Sequence, residues 1–213
     1  MFNITAHDIQ LYLIMAPGLL FALVCHEVAH GYVAFLLGDP TAKSQGRLTL
    51  NPLKHLDPIG TIAFFFVQFG WAKPVPVNAG YFKNPRHGMM LTALAGPGTN
   101  FMLAAAFAVI LHSLPYFGNL VPKALYLIFY YGVFVNLILG TFNLLPIPPL
   151  DGSNVLAYFL PPQMARKYMS MGKYGFIILI VLIMSGRFTG FSLVGEIILP
   201  FVYAIANLLG VPM

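Results

Sequence analysis

The chain has 213 residues, of which 59% are hydrophobic and only 8% charged, with a formal net charge of +5 at pH 7. Soluble domains carry roughly a quarter charged residues, so the composition excludes an ordinary soluble enzyme and indicates an integral membrane protein. The basic residues lie between apolar segments without forming a patch, which argues against nucleic acid as a partner.

Apolar windows predict five to six transmembrane or embedded helices, at about 9–38, 58–70, 88–112, 122–145, 174–186 and 190–210. The window 58–70 is too short to cross a hydrocarbon core of about 30 Å, so we expect it to be membrane-embedded. The fold class is therefore an all-α polytopic membrane protein. We expect one domain over residues 1–213, with a core at about 9–38, 88–112 and 122–160 and accessory helices at about 163–213.

The connection between the first and third windows is not helical in character. Residues 47–50 alternate polar and apolar side chains, and Pro74 and Pro76 lie two residues apart. These patterns predict a small membrane-associated β-hairpin region with an edge strand. Such an edge could hold an unwound substrate by strand addition, or the segments could simply plug the mouth of the site.

The distribution of basic residues predicts the orientation. If the window 58–70 returns to its own side, only Lys123 and Arg187 among the eleven lysines and arginines lie on the opposite face. The positive-inside rule then directs the first helix from the outside to the cytoplasm. We expect a multi-pass protein of the plasma membrane with its functional site toward the cytoplasmic side.

The first window contains HEVAH, in which Glu27 is the only charged residue between positions 10 and 38. At 100° per helical residue, His26, Glu27 and His30 point to one side. Two neutral imidazoles can hold Zn²⁺ while the adjacent carboxylate serves as general base. A chance match is the alternative, but zinc with two histidines, Glu27 and one more carboxylate sums to zero charge, which explains how the cluster persists in lipid.

A third metal ligand must come from elsewhere in the chain. The candidates by residue type are Asp8, Asp39, His55, Asp57, His87, Asp151 and Glu196. Asp151 follows an apolar window directly, in a proline-rich segment that cannot be regular helix. The residues leave a second interpretation open, in which Asp151 caps a helix that starts at Gly152.

Three motifs together resemble the site-2 protease family of intramembrane zinc metalloproteases, in a compact form without PDZ or CBS domains. They are HEVAHG at 26–31, AGPGTN at 95–100 and NLLPIPPLDG at 143–152. The resemblance implies that His26, His30 and Asp151 bind one Zn²⁺ per chain and that Glu27 is the catalytic base. It also implies that Asn143 and Asn100 hold substrate or line the site.

The function implied is regulated intramembrane proteolysis: hydrolysis of a peptide bond in or near the transmembrane segment of a membrane protein. The expected partners are a transmembrane protein or peptide substrate, the lipid bilayer and a regulatory membrane partner. The competing hypothesis is a catalytically silent zinc-binding scaffold or carrier. Glu27 argues against it, because a silent protein has no need of a buried base beside its ligands.

Overall fold

The computed structural model describes residues 6–67, 70–189, 192 and 194–212. The regular secondary structure of the described residues is helical. They are α1 (Ala6–Leu36), α2 (Thr41–Ser44), α3 (Pro58–Val67), α4 (Pro85–Ser113), α5 (Lys123–Asn143), α6 (Asp151–Phe159), α7 (Pro162–Ser170), α8 (Gly172–Thr189) and α9 (Leu199–Leu208), with 3₁₀ turns at Pro52–Lys54, Ala79–Tyr81 and Leu114–Leu120 and a π-helical turn at Val194–Ile198.

Three helices in the described residues are long and apolar enough to cross a membrane, at Leu13–Leu36, Pro85–Gly118 and Lys123–Asn143. The expectation of five to six spanning or embedded helices is therefore not supported beyond these three. The proline-rich segment after Asn143 ends α5, because proline cannot continue a helix. The core segment expected at about 122–160 contains two helices, α5 and α6, one on either side of these prolines.

The long helix α4 lies at the centre of the molecule, in contact with α1, α5 and α6. A buried apolar cluster joins α4 and α5 to α9, where Ala104, Leu137 and Val202 are fully enclosed. Glycines allow α1 and α5 to approach closely, because a Cβ on Gly18 would lie 3.7 Å from the Cα of Gly132. This packing brings residues from distant parts of the sequence against one face of α1.

The predicted β-hairpin region is wrong for the residues that the structure describes between α1 and α4. Leu56 and Ala72 form one isolated antiparallel bridge, and no strand is present in this part of the described chain. Pro74 and Pro76 have no N–H to give to a strand partner. The neighbouring N–H of Val75 donates to a side chain instead of to a second strand.

Candidate metal centre

Two histidines of α1 converge on one point in the interior. His26 and His30 lie one helical turn apart and are only 6% and 9% exposed. Their Nε2 atoms are 2.9 Å apart, with the two rings nearly perpendicular. Both imidazoles therefore direct the same nitrogen to the same small volume.

The carboxylate of Asp151 reaches this volume from α6. Its Oδ2 atom lies 3.2 Å from Nε2 of His26 and 3.3 Å from Nε2 of His30. Asp151 is itself the first residue of α6, with Leu150 at the N-cap position and no side-chain capping bond. The capping interpretation of Asp151 is therefore not what the structure shows.

The start of α6 depends on a close backbone approach. A Cβ on Gly152 would lie 2.1 Å from the carbonyl oxygen of Leu144, at the end of α5. Glycine is the residue that fits such a contact. The Asp-Gly pair at 151–152 thus combines a carboxylate with the residue that lets its helix begin against α5.

Helix α4 orients both imidazole rings. Nδ1 of His26 is 2.6 Å from Oδ1 of Asn100, and Nδ1 of His30 is 2.7 Å from the carbonyl oxygen of Thr92. Both partners are acceptors, so each Nδ1 carries the proton and each neutral ring has its lone pair on Nε2. The hydrogen-bond network thus assigns the tautomer that suits metal binding.

Gly96 provides the space between these two contacts. It lies four residues from Thr92 and four from Asn100, on the same face of α4. A Cβ at this position would be 2.4 Å from Nε2 of His30 and 2.6 Å from Cε1 of His26. The absence of a side chain is therefore what allows the rings to lie against α4.

The donor set fits a zinc ion. Three lone-pair atoms, Nε2 of His26, Nε2 of His30 and Oδ2 of Asp151, lie within 4.8 Å of one another. Oδ2 of Asp151 is buried without a hydrogen-bond donor among the described residues. Tetrahedral zinc bonds of about 2.0 to 2.1 Å separate neighbouring ligand atoms by about 3.3 Å, close to the spacing seen here. A cation at the centre would relieve the mutual repulsion of the three atoms.

Asn100 belongs to a buried amide pair. It is fully buried, and its Nδ2 donates to Oδ1 of Asn136 at 3.0 Å and to the carbonyl oxygen of Ala22 at 3.4 Å. Asn136 on α5 is also fully buried, and sequence reasoning missed it. The available signal was an amide in the middle of an apolar span, where polar side chains are costly.

Glu27 follows His26 in the sequence, and its side chain is half-buried. Its Oε2 accepts a hydrogen bond of 2.8 Å from the backbone N–H of Val75. The Val75 side chain packs on α1, since a Cβ on Gly31 would lie 2.9 Å from its Cγ1. The carboxylate is thus held by a segment that lies along the helix carrying it.

That segment, residues 73–78, is called here the strap. Arg47 donates to the carbonyl oxygen of Lys73 at 2.7 Å, and the N–H of Asn78 donates to Oδ2 of Asp39 at 2.6 Å. Asp39 also accepts the hydroxyl and backbone N–H of Thr41. Burial raises the pKa of Asp39, but these hydrogen bonds outweigh it and hold that pKa below its ordinary value.

The other candidate ligands do not reach the cluster in the part of the chain that the structure describes. Asp39 binds the strap, His55 bonds to the Thr49 carbonyl, and Asp57 caps α3 through the N–H of Gly60. His87 lies against Tyr158, and Glu196 is exposed. The side chain of Asp8 lies outside the described residues.

Asn143 lies at the last residue of α5, where the proline-rich segment begins. Its Nδ2 donates to the carbonyl oxygen of Leu139 at 3.0 Å, one turn back on the same helix. It is half-buried, whereas Asn100 has no exposed surface. Of the two asparagines expected to line the site, Asn143 is thus the one with access to an incoming molecule.

Comparison with known proteins gives consistent matches. The model of peptidase family M50 matches residues 110–185. YwhC of Bacillus subtilis (strain 168) is 45% identical over 168 residues, which cover 77% of each chain. Rip2 of Mycolicibacterium smegmatis is 29% identical over 196 residues, covering 83% of this chain and 69% of its own length.

A shorter match, over 69 residues at 42% identity, is to MJ0611 of Methanocaldococcus jannaschii and covers 31% of this chain and 32% of that protein. All three relatives carry provisional names as zinc metalloproteases. No solved structure gives a significant match.

Proposed function

Because this chain belongs to peptidase family M50, the site-2 protease family, we propose that it is an intramembrane zinc endopeptidase that cleaves transmembrane substrates. One observation carries the proposal. Lone-pair atoms of His26 and His30, on a helix apolar enough to cross a membrane, converge with Oδ2 of Asp151 from α6, which has no hydrogen-bond donor among the described residues.

We assign His26, His30 and Asp151 as the ligands of one zinc ion per chain. When bound there, zinc would supply Lewis-acid polarisation of a peptide carbonyl and would make a water molecule acidic near pH 7. Asp151 contributes the negative charge that balances part of the cation in an apolar environment. Asn100 and the carbonyl of Thr92 keep both rings in the binding orientation.

Glu27 is the proton acceptor in this proposal. Its carboxylate would take a proton from the attacking water and return it to the leaving amine, as general acid–base catalysis requires. The bond from the Val75 N–H fixes one carboxylate oxygen and leaves the other for this exchange. The strap would therefore position the base.

The proposed substrate is a transmembrane segment that has unwound locally, because helical peptide bonds are hidden from a buried site. Asn143 would contact its backbone from the mouth of the site, where its half-buried amide ends α5. Asn100 has no exposed surface, so we assign it to positioning His26 and not to substrate contact. We further propose that this proteolysis is regulated by a membrane partner. From the positive-inside rule we expect the site to face the cytoplasmic side of the plasma membrane.

Zinc content is the first test. Detergent-purified full chain should contain one zinc by elemental analysis, and His26→Ala and Asp151→Ala should lose it. Asp57→Ala is the matched control for Asp151→Ala, because Asp57 caps α3 away from the cluster and its loss should leave zinc in place. Absence of zinc in metal-supplied wild type would refute the proposal.

Cleavage is the second test, and it separates the protease from a silent zinc-binding scaffold or carrier. The protein is reconstituted with a mixed set of synthetic transmembrane peptides, and mass spectrometry detects new termini. Loss of a general base costs about 10²- to 10⁴-fold, so Glu27→Gln should retain zinc and lose cleavage. Equal products from wild type and Glu27→Gln would favour the scaffold.

A further inference from the structure

Asn136 occupies an unusual position in α5. It is fully buried within a helix apolar enough to span the membrane, where an amide costs free energy unless all its groups are bonded. Its Nδ2 donates to the carbonyl oxygen of Gly132 at 2.8 Å, and its Oδ1 accepts Nδ2 of Asn100 at 3.0 Å. Both ends of the amide are therefore satisfied in one orientation.

This orientation determines that of the next amide. Because Asn136 presents an oxygen, Asn100 must present its NH₂ group to Asn136 and its Oδ1 to His26. Oδ1 of Asn100 then accepts the Nδ1 proton of His26. The lone pair of His26 consequently lies on Nε2, the atom 3.2 Å from Asp151.

We propose that Asn136 is a positioning residue for the zinc site: it sets the tautomer of His26 through Asn100, without touching the metal or the substrate. The inference deepens the proposed function and rests on it. Without the Asn136 oxygen, only the long bond of 3.4 Å to the Ala22 carbonyl oxygen holds the Asn100 amide in this orientation. A rotation by 180° would then offer its NH₂ group to His26. That arrangement moves the imidazole proton to Nε2 and removes one zinc ligand.

A general packing role is the competing explanation, and α5 supplies a matched comparison. Asn143 makes the same type of bond as Asn136, from Nδ2 to the carbonyl four residues earlier, at 3.0 Å. The structure shows no bond between Asn143 and the histidines or their amide partners among the described residues. Leucine at either position removes the same intrahelical bond. Only at position 136 does it also disturb the relay, by which we mean the hydrogen bonds from Asn136 through Asn100 to His26.

The experiment measures the zinc dissociation constant of the full chain in detergent, by competition with a chromophoric chelator. Loss of a partner that orients a metal-binding histidine typically weakens metal affinity about 10- to 100-fold, and we expect this for Asn136→Leu. Asn143→Leu should keep the zinc affinity of the wild type; cleavage is not the readout, because Asn143 is assigned to substrate contact. Asn136→Ser tests the same point with a smaller side chain if the leucine variant does not fold, because its hydroxyl is too short to replace the amide oxygen.

Asn136→Asp provides the rescue. In an apolar site an aspartate takes up a proton, so its O–H can donate to Gly132 while its other oxygen accepts from Asn100. This variant should therefore bind zinc as wild type does, with thermal unfolding as a check on folding. If Asn136 had only a packing role, the zinc affinities of Asn136→Asp and Asn136→Leu would not differ.

The outcomes separate the two hypotheses. Unchanged zinc affinity in folded Asn136→Leu, or an equal loss in Asn143→Leu, would overturn the relay while the protease assignment stands. Weak zinc binding in Asn136→Asp, equal to that of the leucine variant, would overturn it as well. A wild-type chain that binds no zinc would overturn the proposed function, and this inference with it.

Discussion

The substitution Gly96→Ala should abolish tight zinc binding while preserving the fold. A single methyl group at this position would lie 2.4 Å from Nε2 of His30 and 2.6 Å from Cε1 of His26. Ordinary carbon–nitrogen contacts begin near 3.4 Å, so the His30 ring must move by about 1 Å. The movement would also strain the bonds to Thr92 and Asn100, which are 2.7 and 2.6 Å long.

The expected loss is large because metal sites tolerate little displacement. Ligand positions are held within about 0.2 Å of ideal in well-formed sites. Loss of a partner that orients a metal-binding histidine typically weakens metal affinity about 10- to 100-fold, and we expect a displacement of the ring itself to cost at least as much. Helix stability should not fall for intrinsic reasons, since alanine is favoured over glycine by about 1 kcal/mol within a helix.

Gly98→Ala is the control, because it makes the same change two residues along α4 where a Cβ would meet no atom within 4 Å. Both variants are compared by chelator competition and thermal unfolding in detergent. Gly98→Ala should bind zinc like wild type. Zinc affinity in Gly96→Ala equal to that in Gly98→Ala would refute the reasoning that α4 must lie against the two imidazoles without a side chain.

Three further predictions concern the strap and α8. Val75→Pro removes the N–H that holds Glu27; hydrogen bonds to charged groups contribute about 1.5 to 3 kcal/mol, so cleavage should fall about 10- to 100-fold with zinc retained. The stabilising contribution of Asp39 is complete above its ordinary pKa of about 3.9, and it is lost as pH falls through the lower pKa that Asp39 has in the folded protein. Hydrogen-exchange protection of the Asn78 amide should therefore decrease below about pH 4. Gly175→Ala places a Cβ 1.7 Å from a backbone oxygen and should lower the unfolding free energy by about 1 to 3 kcal/mol.

Each of these predictions has its own comparison. Val75→Ala keeps the backbone N–H and should keep most activity; equal losses in the alanine and proline variants would show that only packing matters. Asp39→Asn should already expose the Asn78 amide at neutral pH. Gly172→Ala, whose Cβ would meet only an ordinary contact at 3.6 Å, should leave stability unchanged, and an equal effect of both glycine changes would contradict the close approach at Gly175.

The convergence of His26 and His30 could be predicted from the sequence because it depends on local features. Helical periodicity brings His26 and His30 to one side, and a lone carboxylate in an apolar helix needs a compensating cation. Asp151 stood out among several acids and histidines by its proline-rich neighbourhood, but its role as third ligand was only what the resemblance to the site-2 protease family implied. The structure adds the convergence of Oδ2 of Asp151 on both imidazoles, which depends on how α6 packs against α4.

The strap could not be predicted correctly, because three of its backbone groups bond to side chains. The spaced prolines suggested an extended edge strand, and residues 73–78 are indeed irregular and non-helical. Their backbone groups bond instead to Glu27, Arg47 and Asp39, which lie far away in sequence. Sequence periodicity identifies a strand but carries no signal for such long-range side-chain partners.

Asn136 shows a different limit of the sequence. A buried amide in an apolar span indicates a function, but not whether it touches substrate, metal or another amide. Asn100 carried the same signal and was expected to line the site, while its atoms are engaged with His26, Asn136 and Ala22. The distinction depends on which helix faces which, and hence on the packing of α1, α4 and α5.

The separation of the three proposed ligands along the chain gives the proposed site an order of assembly during synthesis. His26 and His30 leave the ribosome early, on α1, whereas Asp151 follows only after α4 and α5 have been made. A nascent chain that ends before α6 therefore offers the two imidazoles without the carboxylate of Asp151, and two ligands are too few to retain zinc firmly. The proposed metal can be held securely only once the scaffold around it is complete, so a truncated or stalled product would carry the HEVAH sequence without the proposed metal centre.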